Sequence, residues 1–156
     1  MNDDGSTPLP GLGRLSKSDV LFDALGALDE LNAVLGLLRA HPGAQPHANR
    51  LESIQRDILL IGSELATGRP QLEASAVAAL DREIERLNGK RPPLRHFILP
   101  GESETSARAH MARAFCRRAE RDLVRAQETH PDRIPPPALA YLNRLSSLLF
   151  ALACSF

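Results

Sequence analysis

Apolar residues recur along this chain at alternating steps of three and four, the spacing of one face of an α-helix. The first such run is Leu21, Ala24, Leu28, Leu31, Leu35 and Leu38. Ser16-Lys17-Ser18-Asp19 before it has the S-x-x-D form of a helix start, and His41-Pro42-Gly43 after it is a stop, so the pattern predicts a helix to about Ala40. A second helix is predicted from about Pro46 to Thr67 on Leu51, Ile54, Ile58, Ile61 and Leu65, closed by Gly68 and Pro70. A third covers about Leu72 to Asn88, with Val77, Leu80, Ile84 and Leu87 inward. Pro92-Pro93 then keeps the linker extended. The fourth runs from about Ser103 to Thr129 on a seam of small residues, Ala109, Ala112, Cys116, Ala119, Leu123 and Ala126. The fifth starts near Pro137 and runs to about Ala153, with Leu142, Leu145, Leu149 and Leu152 inward and Asn143, Ser146 and Phe150 beside them. Residues 1 to 15, rich in Gly and Pro, read as loop, and no stretch reads as a convincing strand. The expected fold is therefore all-α, a bundle of five helices crossing at about 20°, in a single domain spanning residues 1–156.

On the fourth helix, Arg113, Arg117 and Glu120 form a stripe at i, i+4 and i+7 that borders the apolar seam. Guanidiniums at a core edge suit an anion or a carboxylate partner. They equally suit arginines that lay their stems over the core and pair with local acids. Asp29 directly follows the seam residue Leu28 and borders the core in the same way, as an edge charge of opposite sign or as part of a solvated acidic patch.

Charge and composition remove several function classes. Basic and acidic residues balance at 19 each in 156 residues, unlike a general nucleic-acid binder or a polybasic membrane anchor. No apolar run approaches the roughly 20 residues that span a bilayer, and Met1-Asn2-Asp3-Asp4 is too acidic for a secretory leader. Two distant cysteines without CxxC, and five histidines without HxxxH spacing, predict neither a disulfide framework nor a protein-held metal, and a reducing cytoplasm is the expected compartment. The segment Asp4-Gly5-Ser6-Thr7 through Gly13, Arg14 and Lys17 offers backbone N–H groups, hydroxyls and cations to a phosphate, though it is not a Walker A loop and also reads as a flexible terminus. Phe97, an aromatic in a chain poor in them, is either a plug for the bundle end or the wall of a ligand site. Asn143 is a poor helix former inside a helix and hints at a polar contact.

These pieces, in order, resemble the PduO-type ATP:corrinoid adenosyltransferases. The resemblance rests on Asp4-Gly5-Ser6-Thr7, Arg14 to Asp19, Gly26 with Asp29-Glu30-Leu31-Asn32, and Ile54-Gln55-Arg56-Asp57 with Gly62 and Glu64. It continues through Phe97-Ile98-Leu99-Pro100-Gly101, His110 to Arg121, and Tyr141 to Ser146.

The resemblance implies a ferritin-like five-helix bundle assembled as a homotrimer with active sites between subunits. It implies transfer of the 5′-deoxyadenosyl group of ATP to the cobalt of reduced cobalamin, with Mg²⁺ accompanying the nucleotide. By match, Gly5, Ser6, Thr7 and Lys17 would hold the triphosphate, and Arg117, Glu120 and Asn143 would position ATP. Asp29 and Arg113 would pair across subunits, and Phe97 would cover the lower face of the corrin. Neither nucleic acid nor membrane is an implied partner. The chain departs from the family pattern at Leu25, Glu102, Ala114 and Ser147, where tyrosine, glycine, threonine and aspartate are usual. The family's Thr-x-Thr-Gly lead before the aspartate is also missing, so the phosphate cradle is expected to be shortened. Those departures keep an alternative open, a non-catalytic relative that binds a corrinoid or an active partner subunit.

Overall fold

A computed structural model describes residues 4–89 and 96–156. The described chain opens on an antiparallel hairpin, β1 (Ser6–Leu9) and β2 (Gly13–Ser16). Five α-helices follow: α1 (Val20–Arg39), α2 (Ala48–Thr67), α3 (Ala74–Asn88), α4 (Glu104–Thr129) and α5 (Pro136–Ala153). Short 3-10 helices at Pro42–His47 and Pro131–Arg133 precede α2 and α5. The all-α expectation stands, with each helix within about two residues of its predicted bounds, except at the start of α1. The extended linker expected at Pro92-Pro93 lies outside the described residues.

The seams predicted for α1, α2, α4 and α5 are buried throughout. α4 packs against both α1 and α5, α1 against α2, and α5 against α3. Buried Tyr141 on α5 closes the circuit by donating to Asp57 Oδ2 of α2 at 2.7 Å. Burial first, and then that hydrogen bond, push the phenol's pKa up, so it stays protonated and donates. α3 packs chiefly on α5, with Arg50 of α2 donating to Ala79 O at 2.5 Å, and its inward residues differ accordingly: Leu80 and Leu87 are buried, whereas Val77 and Ile84 are half-buried.

Two features differ from the expectation. The amino-terminal segment is a hairpin, not a loop. Its strands are four residues each and its turn is built on Pro10 and Gly11, with Gly11 at φ +77°. Strands that short carry too few residues for a period of two to register in the sequence. The cap of α1 also falls three residues later than Ser16, which is the last residue of β2. The N-cap is Asp19, whose Oδ1 accepts from Leu21 N at 2.9 Å. His130 Nε2, from the far end of α4, lies 2.8 Å from the same oxygen. Asp19 thus satisfies a free N–H at the helix start and ties it to the chain's carboxyl-terminal half.

The hydrogen bond from Leu21, with that of His130, holds the Asp19 carboxyl below its ordinary value of 3.8. Its stabilisation is therefore present above that ordinary value and is lost as pH falls through the lowered one. Asp19→Ala is expected to cost about 1 kcal/mol near neutrality. In urea titrations the gap from wild type should close at strongly acidic pH; a gap that persists there would refute the cap's electrostatic part.

Candidate functional site

The seam of α4 turns its neighbouring stripe toward an open cleft of about 820 Å³ between α4 and α5. Arg117, Glu120, Arg121, Val124, Arg125 and Asn143 line it. Asn143 Nδ2 donates to Glu120 Oε1 at 3.0 Å, so the two polar residues expected to share a ligand do meet. Three guanidiniums, from Arg117, Arg121 and Arg125, stand at successive i, i+4 positions along this wall. Like charges at that spacing destabilise a helix by a few tenths of a kcal/mol per pair, a cost that a bound anion relieves. Arg125 is balanced by Asp122, its ion-pair partner one turn back. Among the described residues, Arg117 and Arg121 form no ion pair, leaving two cations for a ligand. Arg121 and Arg125 were not singled out from the sequence. The i, i+4, i+8 repeat running on from Arg117 was the available signal.

One turn earlier, Arg113 lies over the Phe150 ring of α5, its Cζ 5.7 Å from the centroid. Its Nε is buried without a hydrogen-bond partner. His110 meets the same ring edge-on at 6.1 Å, and both its nitrogens are buried and unpartnered. Burial, followed by the nearby Arg113 charge, holds the imidazole below its usual pKa, so it is neutral near pH 7. Cys116 on the seam is not a nucleophile. Burial pushes its thiol far up, and its Sγ donates to Leu142 O at 3.2 Å.

The other expected site residues lie elsewhere. Asp29 is exposed on α1, and no described ion pair joins it to Arg113; the α1–α4 ion pair is instead Glu30 with Arg118. Phe97 does not plug the bundle. It stands fully exposed in the segment before α4 and does not line the cleft. Gly5, Ser6, Thr7 and Lys17 gather at the hairpin instead, where Lys17 N donates to Gly5 O at 2.8 Å. There Asp4 Oδ1 accepts from Ser6 N at 3.0 Å, Ser6 Oγ at 2.6 Å and Arg14 Nη2 at 3.0 Å. A carboxylate oxygen thus sits on a donor set suited to a phosphate oxygen. The structure brings together Arg117, Glu120 and Asn143, and separately the four hairpin residues. Within one chain it brings neither group to Asp29 or Phe97.

The chain matches the family described as cobalamin adenosyltransferase over residues 1–156. It is 40% identical to the corrinoid adenosyltransferase PduO of Citrobacter freundii across 97% of its own length and 47% of that protein's, so it spans about half of that relative. It is 41% identical to a cobalamin adenosyltransferase of Cupriavidus metallidurans, covering 97% of this chain and 82% of the other. Its fold is similar to that of an arginine-to-lysine variant of a PduO-type adenosyltransferase from Lactobacillus reuteri complexed with ATP, with a TM-score of 0.87 and 32% identity over 97% of this chain and 88% of the other. A phenylalanine-to-alanine variant of that enzyme, complexed with cobalamin and ATP, aligns with a TM-score of 0.88 and 31% identity over 97% and 87% of the two chains.

Arg117, Arg121 and Asn143 are exposed and outside the core. Replacing each singly by Ala should shift unfolding free energy by no more than about 0.5 kcal/mol. Thermal and urea unfolding check this. A larger loss would mean that the cleft wall supports the fold and is not reserved for a ligand.

Proposed function

The chain belongs to the cobalamin adenosyltransferase family, and from that premise we propose that it transfers the 5′-deoxyadenosyl group of ATP to the cobalt of a reduced corrinoid, releasing triphosphate. The observation that carries the proposal is the cleft in which unpaired Arg117 and Arg121 flank the Glu120–Asn143 pair. An anionic nucleotide suits that donor set: guanidiniums for phosphates, and a carboxylate and an amide for hydroxyls or a base edge.

The chemistry asks little of side-chain acids and bases. The substrate's cobalt(I) supplies the electron pair for the new cobalt–carbon bond. The C5′–O bond of ATP breaks, and the triphosphate oxygen keeps its electrons. What remains for the chain is to hold C5′ in line and to stabilise the charge on the departing triphosphate. Arg117, Glu120 and Asn143 would do the first. Gly5, Ser6, Thr7 and Lys17, gathered at one end of the hairpin, would do the second. The described residues include no group of three or more His, Cys, Asp or Glu able to hold a metal. Mg²⁺ would therefore come with the nucleotide phosphates and not in a cage of protein ligands.

A homotrimer with intersubunit sites is part of this reading. Among the described residues neither exposed Asp29 nor half-buried Arg113 has an ion-pair partner, which suits a pairing between subunits. Phe97, fully exposed here, would gain a partner as the apolar, non-ligating cover of the corrin's lower face. No described helix is long and apolar enough to cross a membrane, and both cysteines are free; we infer a cytoplasmic location and a single domain over residues 1–156. One observation favours a second reading, a corrinoid-binding relative that transfers nothing: Asp4 already occupies the Ser6 donors.

With Mg-ATP and chemically reduced cobalamin, formation of adenosylcobalamin is followed by absorbance. Arg117→Ala should lower kcat/KM by about tenfold to a hundredfold, the equivalent of one charged hydrogen bond at roughly 1.5–3 kcal/mol. Wild-type protein that neither turns over nor binds ATP in calorimetry would sink the reading. Cobalamin binding without ATP binding would favour the second.

A further inference from the structure

We propose that Arg133 is the positioning residue of the amino-terminal phosphate loop; the role rests on the reading of Gly5, Ser6, Thr7 and Lys17 as triphosphate ligands. Arg133 ends the short 3-10 helix between α4 and α5, and its side chain is buried, 8% exposed. Nη2 donates to the carbonyl of Pro10, in the hairpin turn, at 2.6 Å. Nη1 donates to the carbonyl of Ala66, in the last turn of α2, at 3.1 Å. No described carboxylate pairs with it. The free carbonyls at the end of α2 carry the negative end of the helix dipole and take the counter-ion's place. An apolar side chain would fill the same space without the cost of burying a cation. What the planar guanidinium adds is direction: it fixes two carbonyls of distant segments relative to each other.

Two glycines make room for it. A Cβ on Gly11 would come within 2.9 Å of Nη2, and one on Gly68 within 3.3 Å of Cζ. The hairpin needs such an anchor. A lone two-stranded hairpin is marginal in water, and β1 and β2 pair only with each other. Leu9, Leu12 and Leu15 pack against the core, but apolar contact is non-directional and leaves the tilt free. Among the described residues, two hydrogen bonds reach residues 4–17 from the helical body: Arg133 to Pro10 at the turn, and Asp19 N, at the cap of α1, to Ser16 O at 3.0 Å at the other end. The phosphate donors sit at the opposite end from the Arg133 clamp. Strands of four residues put them about 13 Å away, where β2 runs into the cap of α1, so the clamp at the turn and the cap hold the hairpin at its two ends, and losing the clamp lets the strands shift about the remaining attachment. Misplacement of about 1 Å at a reacting centre can cost a hundredfold in rate.

The test compares Arg133→Met, which keeps the stem and loses both donors, with Arg133→Lys, which keeps the charge but cannot span both carbonyls. In the Met variant, amide hydrogens of residues 6–16 should exchange at least tenfold faster while those of α1, α4 and α5 keep wild-type rates. Its kcat/KM for ATP should fall about tenfold or more, and Lys should restore part of both the exchange protection and kcat/KM. Should the Met variant fail to fold, the Lys variant supports the same comparison with wild type. Unchanged hairpin exchange, or exchange that rises equally in all helices, overturns the proposal. Wild-type protein that binds no ATP defeats the adenosyltransfer reading and the cradle with it, and the exchange measurement then decides separately whether Arg133 anchors the hairpin.

Discussion

The fold turns on how closely α4 approaches its neighbours. Five of its six seam positions are Ala or Cys, every one fully buried. Side chains that small bring the backbones of α1 and α5 nearer to α4 than leucines would permit, and interior packing leaves no slack for larger ones. The same helix bears the arginine column. The separation of Arg117 on α4 from Asn143 on α5 is therefore set by the volume of buried methyl groups, and the hydrogen bond between Glu120 and Asn143 registers that distance. Packing and chemistry are neighbouring faces of one helix.

Charge follows the same division. Several ions of α4 are matched: Arg118 with Glu30 of α1, and Arg125 with Asp122 and Arg108 with Glu104 within the helix. Most of these pairs are largely exposed and add little stability. At Arg113, Arg117 and Arg121 no described carboxylate answers. The unmatched cations lie along one side of the helix, which is the distribution expected of a surface completed by an anion and by another copy.

The helices were legible because their seams are long and regular, so periodicity outweighs local accidents such as Gly26 within α1. Family resemblance supplied the roles of Arg117, Glu120 and Asn143, and geometry brings those three together. The hairpin was illegible because four-residue strands around a Pro-Gly turn look like loop. Arg133 was illegible for a different reason. It lies in a proline-rich connector, and what gives it meaning is a pair of carbonyls that no side-chain pattern records. Phe97 could be read as a plug or as the wall of a ligand site; its full exposure removes the plug. Among the described residues neither Asp29 nor Arg113 has an ion-pair partner, so the geometry of one chain gives neither of them a role.

The hairpin's tether also has a direction in time. Pro10 and Arg133 are 123 residues apart, and Asp19 and His130 are 111 apart. During synthesis the hairpin lacks its Arg133 tether until most of the residues up to α5 have followed it. α1 and α2 can close on each other early, since their contacts are near in sequence. The Asp19–Leu21 cap bond is local, but the bonds from Arg133 and His130 form only once the connector before α5 has emerged. A nascent chain therefore has its early helices well before its hairpin is tied to the rest of the bundle.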